Sequence, residues 1–329
     1  MTTDRVATLR DDIAGGPDAL AALLEAYGRD AGPLAPIGDR PVWAAFTGLG
    51  SSRYAASTAA ATARSAGLPS WAEYASTSTP TPPAPDGALV AISASGRTRE
   101  TVAAARRWRG SGRVLAVTND PGSRLAEEAD VVLPVLAGAE GAGIATRTFR
   151  GTIGVLAMLV GAWTGAAGLA AADLGPTVEA LRAVMASREA WLPAATELLD
   201  RSTAIDVLGD AADAALVHQA ALMFREAPRL PAVAHDTVDW LHTAVYLALP
   251  GHRALLFAGS AADAEVVATI RRRSGETVVV GPAVDGAALT IEVPPLEGPM
   301  ARAIVLSVVA ELLSLELWAR TSAGELERG

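Results

Sequence analysis

A cluster of small hydroxyl side chains lies directly after an apolar run in the first third of the sequence. Ser93, Ser95 and Thr98 surround Gly96, and they follow the run Ala-Leu-Val-Ala-Ile at 88–92. Such a run is typical of a strand that is covered on both faces, and the polar residues after it would begin a helix. Free N–H groups and the helix dipole attract anions at such a helix start, and glycine lets the backbone approach them. We therefore predict a phosphate-monoester site at 93–98, with an ordinary helix cap as the alternative.

A second loop of the same type precedes it in the chain. Gly50, Ser51 and Ser52 follow the apolar segment 42–46, which we interpret as a short buried strand. Ligands of doubly wound sheets bind outside the carboxyl ends of the strands. If the two strands are neighbours, the two loops close around one ligand.

Glu226 and His242 form a second candidate constellation. Glu226 ends an otherwise apolar helix, and His242 closes the segment Asp-Trp-Leu-His. In sugar chemistry a carboxylate can remove a carbon-bound proton, and an imidazole can assist ring opening. From the spacing alone, a solvated glutamate and a structural histidine are the more common interpretation.

The composition restricts the classes of chemistry that the chain can perform. The formal net charge of its 329 residues is −9, so we expect no nucleic-acid partner. The sequence contains neither cysteine nor lysine, which excludes disulfides, thiolate zinc sites, a cysteine nucleophile and a lysine imine. We predict that the protein uses no cofactor and no metal. Because the first residues lack a long apolar segment, we expect a cytoplasmic location.

Alternation of strand-like and helix-like segments predicts an α/β fold. The expected architecture is two doubly wound α/β sandwiches with mainly parallel sheets. The predicted division is an N-terminal helical segment at 1–34, a first α/β domain at 35–170, a helical connector at 171–200 and a second α/β domain at 201–329. Expected strands lie at 42–46, 71–75, 88–93, 113–118, 131–135, 205–208, 254–257, 277–280 and 289–293, and one helix is expected at 11–30.

Two further helical segments carry specific expectations. Residues 152–171 have no charged side chain, and a membrane span would be possible by length. Their glycine and alanine content favours a helix that packs closely against a sheet, so we expect no membrane partner. The closing helix at 301–321 is expected to carry Glu311 and Glu316 on its solvent face.

Three motifs of this chain resemble the SIS (sugar isomerase) domain family. They are Gly50-Ser51-Ser52, Ser93-Ala94-Ser95-Gly96-Arg97-Thr98 and Val117-Thr118-Asn119-Asp120-Pro121-Gly122-Ser123. In the second half, the segment 221–226 is similar to the helix that bears the family's catalytic glutamate. The chain thus resembles double-SIS proteins, among them the isomerase half of glutamine–fructose-6-phosphate aminotransferase and single-chain phosphosugar isomerases and deglycases.

The resemblance implies a role for each matching residue. Glu226 would be the base that shuttles a proton between C1 and C2. His242 would help to open the sugar ring, in the active site of a neighbouring subunit, which implies a homodimer with a shared active site. The substrate phosphate would be bound by Ser51, Ser52, Ser93, Ser95, Gly96 and Thr98, and possible sugar contacts are Gly50, Ala94, Gly143 and Ala145.

Departures from the family pattern restrict the set of reactions that we expect of this chain. The family's imine-forming lysine has no counterpart in this lysine-free sequence, and Ala94 stands where the family has a glutamine. Glutamine-dependent amination is therefore not expected. We expect an aldose–ketose isomerase that acts on a hexose 6-phosphate or an amino-hexose phosphate through an enediol. Two alternatives stay open: a deglycase or deaminase of a phosphorylated ketosamine or aminosugar, and a non-catalytic sugar-phosphate sensor.

Overall fold

The computed structural model describes residues 2–29 and 32–326, and its first half is built around a five-stranded sheet. The strands are β1 (Trp43–Gly48), β2 (Ser70–Tyr74), β3 (Gly87–Ile92), β4 (Arg113–Thr118) and β5 (Val131–Pro134). They lie in the order β2-β1-β3-β4-β5, and every pairing is parallel. The central β3 is buried along its whole length, because helices cover both faces of a parallel sheet.

A second five-stranded parallel sheet repeats this plan. Its strands are β6 (Ile205–Gly209), β7 (Ala232–Asp236), β8 (Arg253–Phe257), β9 (Glu276–Val280) and β10 (Leu289–Ile291). The order is β7-β6-β8-β9-β10, and every pairing is parallel. This order is the same as in the first sheet when the strands of each sheet are counted from its own first strand. The predicted α/β class with two doubly wound, parallel sheets is confirmed.

Helices connect the strands and join the two sheets through a shared apolar core. The helices are α1 (Thr2–Ala14), α2 (Gly16–Tyr27), α3 (Ser51–Ser65), α4 (Arg99–Trp108), α5 (Arg124–Glu127), α6 (Arg147–Thr164), α7 (Ala171–Ala186), α8 (Arg188–Asp200), α9 (Ala214–Glu226), α10 (Thr237–His242), α11 (Asp263–Arg272) and α12 (Gly298–Leu326). One buried cluster contains Phe46 and Val90 of the first sheet and Val207 and Leu255 of the second. Small side chains on the buried face of α3 let it approach both β1 and α9 closely.

The N-terminal helix prediction at 11–30 is wrong in its boundaries. The chain forms α1 and α2, which are separated at Gly15, and Pro17 lies in the first turn of α2. Proline is favoured in a first helical turn, because its missing N–H would be unpaired there in any case. Residue 30 and residues 327–329, where the predicted N-terminal helix and the predicted second domain end, lie outside the described residues.

Three elements of the second half were not predicted from the sequence. They are the edge strand β7 and the helices α10 and α11. The connector predicted near 171–200 forms α7 and α8, which meet at Ser187.

The expectation that Glu311 faces solvent is wrong. Glu311 is fully buried in α12, where its carboxylate forms an ion pair with the buried guanidinium of Arg150 in α6. Burial raises the pKa of the Glu311 carboxyl to about 7. The chargeless segment near 152–171 forms most of α6, whose residues from Thr148 to Val160 are all buried. None of the helices within the described residues has the length and hydropathy that a membrane span requires.

Candidate active site

The two hydroxyl-rich loops lie side by side at the point where the strand order of the first sheet reverses. β1 pairs with β2 on one side and with β3 on the other, and all three strands run in the same direction. The loop 49–52 after β1 and the loop 93–98 after β3 therefore emerge at the same sheet edge. Doubly wound sheets bind their ligands in the crevice at this switch point.

Hydroxyl groups and free amides line the loop 93–98. Ser93 Oγ lies 3.0 Å from Thr98 Oγ1, and Ser95 Oγ accepts a hydrogen bond of 3.2 Å from the N–H of Arg97. Thr98 is the N-cap residue of α4, yet its hydroxyl caps no amide of that helix. Within the described part of the chain, no hydrogen bond satisfies the backbone N–H of Ser95 or of Thr98. These unused donors distinguish the loop from an ordinary cap.

The three hydroxyl residues of this loop differ in their exposure to solvent. Ser95 is exposed and Thr98 is half-buried, whereas Ser93 is buried under the loop. Ser51 and Ser52 are half-buried in the first turn of α3. Their helix starts at Gly50, which is exposed, has a φ of +54° and uses no side chain as a cap.

Gly96 is required for a reason that the sequence did not reveal. Its φ is +61°, and an added Cβ would lie 1.9 Å from Ser123 Oγ and 2.3 Å from Ser123 Cβ. The glycine therefore lets the loop 93–98 pack tightly against the loop that follows β4. Gly96 is buried and its N–H donates to the carbonyl of Ser93 at 3.0 Å, so its observed role is in packing, and its proposed contact with an anion stays a prediction.

Hydrogen bonds from the neighbouring loop hold the carbonyl groups of 93–98 in place. The N–H of Asn119 and the hydroxyl of Thr118 both donate to the carbonyl of Ala94, at 2.9 and 3.2 Å. The Asn119 side chain also donates to the carbonyl of Gly138 and accepts from the N–H of Ala137. The carbonyl of Ala94 is thus part of this scaffold.

The equivalent position of the second sheet is filled by a side chain of the protein. There the loop after β8 leads into α11, and the carboxylate of Asp263 accepts from the N–H groups of Gly259 and Ser260 at 2.7 and 3.0 Å. Asp263 is buried, and burial raises the pKa of its carboxyl. Because a carboxylate already occupies these amides, the first sheet offers the better anion site.

Helix α9 brings Glu226 to the side of the loop that follows β1. The N–H of Ala215, near the start of α9, donates to Thr58 Oγ1 in the middle of α3. One turn later, the ring of His218 stacks on Tyr54 with a centroid distance of 5.0 Å. Near the end of α9, Arg225 Nη2 lies 3.5 Å from Tyr54 Oη. Tyr54 lies two residues after Ser52. The end of α9 that carries Glu226 therefore lies beside the start of α3.

The electrostatic environment of Glu226 favours a carboxyl that takes up protons more readily than usual. Glu226 is exposed at the end of α9, yet the protein around its carboxyl displaces water and raises its pKa, and the guanidinium of Arg225 opposes this rise. Burial lowers the pKa of His218, and the charges of Arg225 and Arg53 lower it further. The imidazole of His218 is accordingly neutral near pH 7.

The two predicted sugar contacts in the loop before α6 have different surroundings. Gly143 is exposed with a φ of +70° and has open space around it. The carbonyl of Ala145 accepts a hydrogen bond of 3.0 Å from Gln219 Nε2 in α9. This bond ties the loop of the first half to the helix that bears Glu226.

His242 and Glu226 share no hydrogen bond or ion pair within the described residues of one chain. His242 is exposed at the end of α10. Close to it in the sequence, four large apolar side chains are between 47% and 74% exposed: Val238, Tyr246, Leu247 and Leu249.

Several residues at this site escaped the sequence analysis because their role depends on contacts between distant segments. Tyr54 contacts both His218 and Arg225, each of which lies 164 residues or more after it in the sequence. Within the described residues, no group of three or more His, Asp or Glu side chains has the arrangement of a metal site.

Part of this chain, including both hydroxyl-rich loops, matches a known protein family. Residues 44–160 match the family model of the SIS domain. A curated relative, the glutamine–fructose-6-phosphate aminotransferase [isomerizing] of Aeropyrum pernix, is 34% identical over 207 residues, which are 59% of this chain and 33% of the relative. This chain thus matches about a third of the length of that relative.

Solved structures of two other proteins share the fold over almost the whole chain. The C-terminal domain of glucosamine-fructose-6-phosphate aminotransferase from Francisella tularensis has a TM-score of 0.83 at 18% identity, with 95% of both chains covered. The tagatose-6-phosphate ketose/aldose isomerase from Escherichia coli has a TM-score of 0.81 at 17% identity, with 95% of this chain and 93% of that chain covered. At these identities the similarity establishes the fold.

Proposed function

Since residues 44–160 match the family model of the SIS domain, we propose that this chain is an enzyme that binds a phosphorylated hexose and moves a proton between its C1 and C2. The single observation that carries the proposal is the loop 93–98 at the switch point of the sheet, where among the described residues the N–H groups of Ser95 and Thr98 have no hydrogen-bond acceptor and lie beside the hydroxyls of Ser93, Ser95 and Thr98. The proposed reaction is aldose–ketose isomerisation of a hexose 6-phosphate or an amino-hexose phosphate.

The donors of the loop suit a phosphate monoester in particular. Such a group carries close to two negative charges at pH 7 and presents three acceptor oxygens. The N–H groups of Ser95 and Thr98, the hydroxyl of Ser95 and the start of α4 provide neutral donors at one place. Ser51 and Ser52 at the start of α3 would approach the same group from the adjacent strand. This mode of binding requires neither a metal ion nor a lysine.

Glu226 is the proposed base. Its carboxylate would take the proton from C2 of the open-chain aldose; the electron pair of that C–H bond forms the C1=C2 bond, and the π pair of the C1=O bond moves onto O1 to give an enediolate. The carboxylic acid would then return the proton to C1, and the hydroxyl proton passes from O2 to O1, which yields the ketose. Burial raises the pKa of the Glu226 carboxyl, which makes its carboxylate a stronger base than a freely solvated one.

A second copy of the chain would complete the site. His242 is exposed on an apolar surface formed by Val238, Tyr246, Leu247 and Leu249, and monomeric proteins rarely expose so many large apolar side chains together. Pairing of this surface with a partner would bury it and would bring His242 to the Glu226 of the other chain, where the imidazole assists ring opening. The proposed active unit is therefore a homodimer.

The same proton transfer would also act on a phosphorylated ketosamine. In that substrate the nitrogen replaces the oxygen at C1, so the transfer converts the ketosamine to an imine, which water hydrolyses to free amine and sugar. The residues of the phosphate loop and Glu226 would keep their roles. Release of amine from a phosphorylated ketosamine, without interconversion of hexose phosphates, would identify this reaction.

Solvent isotope exchange tests the function. The protein is incubated with hexose 6-phosphates in heavy water, and NMR follows deuterium at C1 and C2. We expect exchange by the wild type, a loss on the order of 10³-fold or more in Glu226→Gln, and no loss in the control Glu265→Gln on the exposed face of α11. The sugar phosphate should raise the melting temperature of Glu226→Gln as much as that of the wild type. Exchange by Glu226→Gln at the wild-type rate would refute the role of Glu226. Thermal stabilisation without exchange by the wild type would indicate a sensor.

A further inference from the structure

A largely buried carboxylate in β6 lies against both ends of the segment that carries His242. Asp206 Oδ2 accepts a hydrogen bond of 2.7 Å from the indole Nε1 of Trp240 in α10. The same oxygen lies 3.2 Å from His252 Nε2, just before β8, and Asp206 Oδ1 lies 3.4 Å from His235 Nε2 in β7. One side chain thus contacts the beginning and the end of the chain segment 240–252.

The contacts to Asp206 are made in a buried environment. Trp240 is fully buried, and the side chains of Asp206, His235 and His252 are between 11% and 16% exposed. The ring of His252 lies 6.0 Å from that of Trp240 between centroids. Burial by itself would raise the pKa of Asp206, but His235, His252 and the indole outweigh it and hold the pKa well below its usual range. The carboxyl is therefore ionised and keeps its acceptors available to these donors.

Few other polar contacts hold the segment in between. α10 has six residues, and the carboxylate of Asp236 caps its first turn at the N–H of Asp239. After His242 the chain forms one short 3₁₀ turn at Val245–Leu247 and exposes Tyr246, Leu247 and Leu249 before it returns to His252. A helix this short is not stable by itself, so its orientation depends on tertiary contacts.

We infer that Asp206 is a positioning residue, which sets the place of His242 through Trp240. This inference rests on the proposed function, because it gives His242 a task that depends on its position. The carboxylate does not touch the substrate. Loss of its bond to Trp240 would let α10 turn or shift, and a displacement near 1 Å at a reacting group costs on the order of 10² in rate.

Kinetics of four single variants test this inference. Asp206→Asn removes the charge, Trp240→Phe removes only the N–H donor and keeps most of the aromatic volume, and His242→Asn removes the imidazole. The control is Asp213→Asn, another buried carboxylate of the second half, which binds Arg302 at 2.8 Å. We expect Asp206→Asn and Trp240→Phe to lower kcat by about tenfold to about 100-fold with unchanged affinity for hexose 6-phosphate, and we expect Asp213→Asn to stay within about twofold of the wild type.

The double variant Asp206→Asn with His242→Asn separates positioning from general damage to the fold. If Asp206 acts through His242, the double variant turns over no more slowly than His242→Asn alone. Multiplied losses in the double variant would overturn the inference. So would wild-type kcat in both Asp206→Asn and Trp240→Phe while His242→Asn is impaired. If His242→Asn turns over like the wild type, the proposed role of His242 is itself wrong. If Asp206→Asn does not fold, Trp240→Phe alone and combined with His242→Asn gives the same comparison.

Discussion

Replacing Gly96 by alanine should disable the proposed phosphate loop, because the added methyl group overlaps Ser123. A second substitution at Ser123 should restore the loop. The φ of +61° disfavours any residue with a Cβ, at a cost of about 1–2 kcal/mol. The new methyl group would also lie 2.3 Å from Ser123 Cβ, which cannot rotate away because it is fixed to the backbone. Relief of such overlap costs a further ~1–3 kcal/mol. The free energy of unfolding should therefore fall by about 2–5 kcal/mol in total.

The loop must move to accommodate the methyl group, so ligand binding should weaken as well. A shift of the order of an ångström misaligns the N–H groups of Ser95 and Thr98 relative to a bound phosphate. We expect the affinity for hexose 6-phosphate to fall by about tenfold to about 100-fold, measured by isothermal titration calorimetry beside urea unfolding.

Two further variants separate the strain of the backbone from the overlap. Gly110→Ala has a φ of +78° and open space around it, so it should lose about 1–2 kcal/mol and bind the ligand normally. Adding Ser123→Gly to Gly96→Ala removes both close contacts of Ser123 and should restore most of the affinity. If Gly96→Ala and Gly110→Ala bound the ligand with equal affinity, overlap with Ser123 would not be what disturbs the phosphate loop.

Two other predictions concern the assembly and the buried ion pair. Leu247 is 74% exposed in the apolar surface beside His242, so the charge of Leu247→Arg should dissociate the proposed dimer in sedimentation velocity and lower kcat by about tenfold or more. The control Val42→Arg, at a position that is 63% exposed elsewhere, should change neither the dimer nor kcat. A dimer that survives Leu247→Arg would exclude this surface as the interface. Because the folded-state pKa of Glu311 is raised to about 7, the protein takes up a proton there on folding, and this contribution to the free energy of unfolding is lost as the pH rises from about 5 to about 7.5. Glu311→Gln should remove that decline in urea unfolding, whereas Glu316→Gln at a half-exposed position of the same helix should keep it; parallel pH profiles for all three proteins would contradict the assignment to Glu311.

The first sheet and the strand ends that carry the proposed phosphate loop could be predicted, because the sequence patterns that indicate them lie within short segments. A strand such as β3 is covered on both faces, so it appears as a continuous apolar run, and the hydroxyl residues after it mark where the strand ends. The order of the strands then follows from a small set of allowed connections. The positions of Ser93, Ser95, Gly96 and Thr98 at the sheet edge needed nothing more, and their role in binding remains a prediction.

Contacts between distant segments could not be predicted in the same way. Glu311 looked like a solvated residue of a long helix, because its partner Arg150 lies 161 residues earlier in the sequence. The need for Gly96 depends on Ser123, which lies in the loop after the next strand. β7 was missed because it is a short edge strand with partly exposed and polar residues, so it lacks the apolar run that revealed β3.

Binding of a phosphate monoester by the loop 93–98 can be seen in a crystal structure of the protein with a hexose 6-phosphate. We expect the phosphate group within hydrogen-bond distance of the N–H groups of Ser95 and Thr98, with the far end of the sugar directed towards Glu226. A sugar phosphate bound elsewhere, with that loop empty and its hydroxyls bonded as they are without ligand, would contradict this expectation.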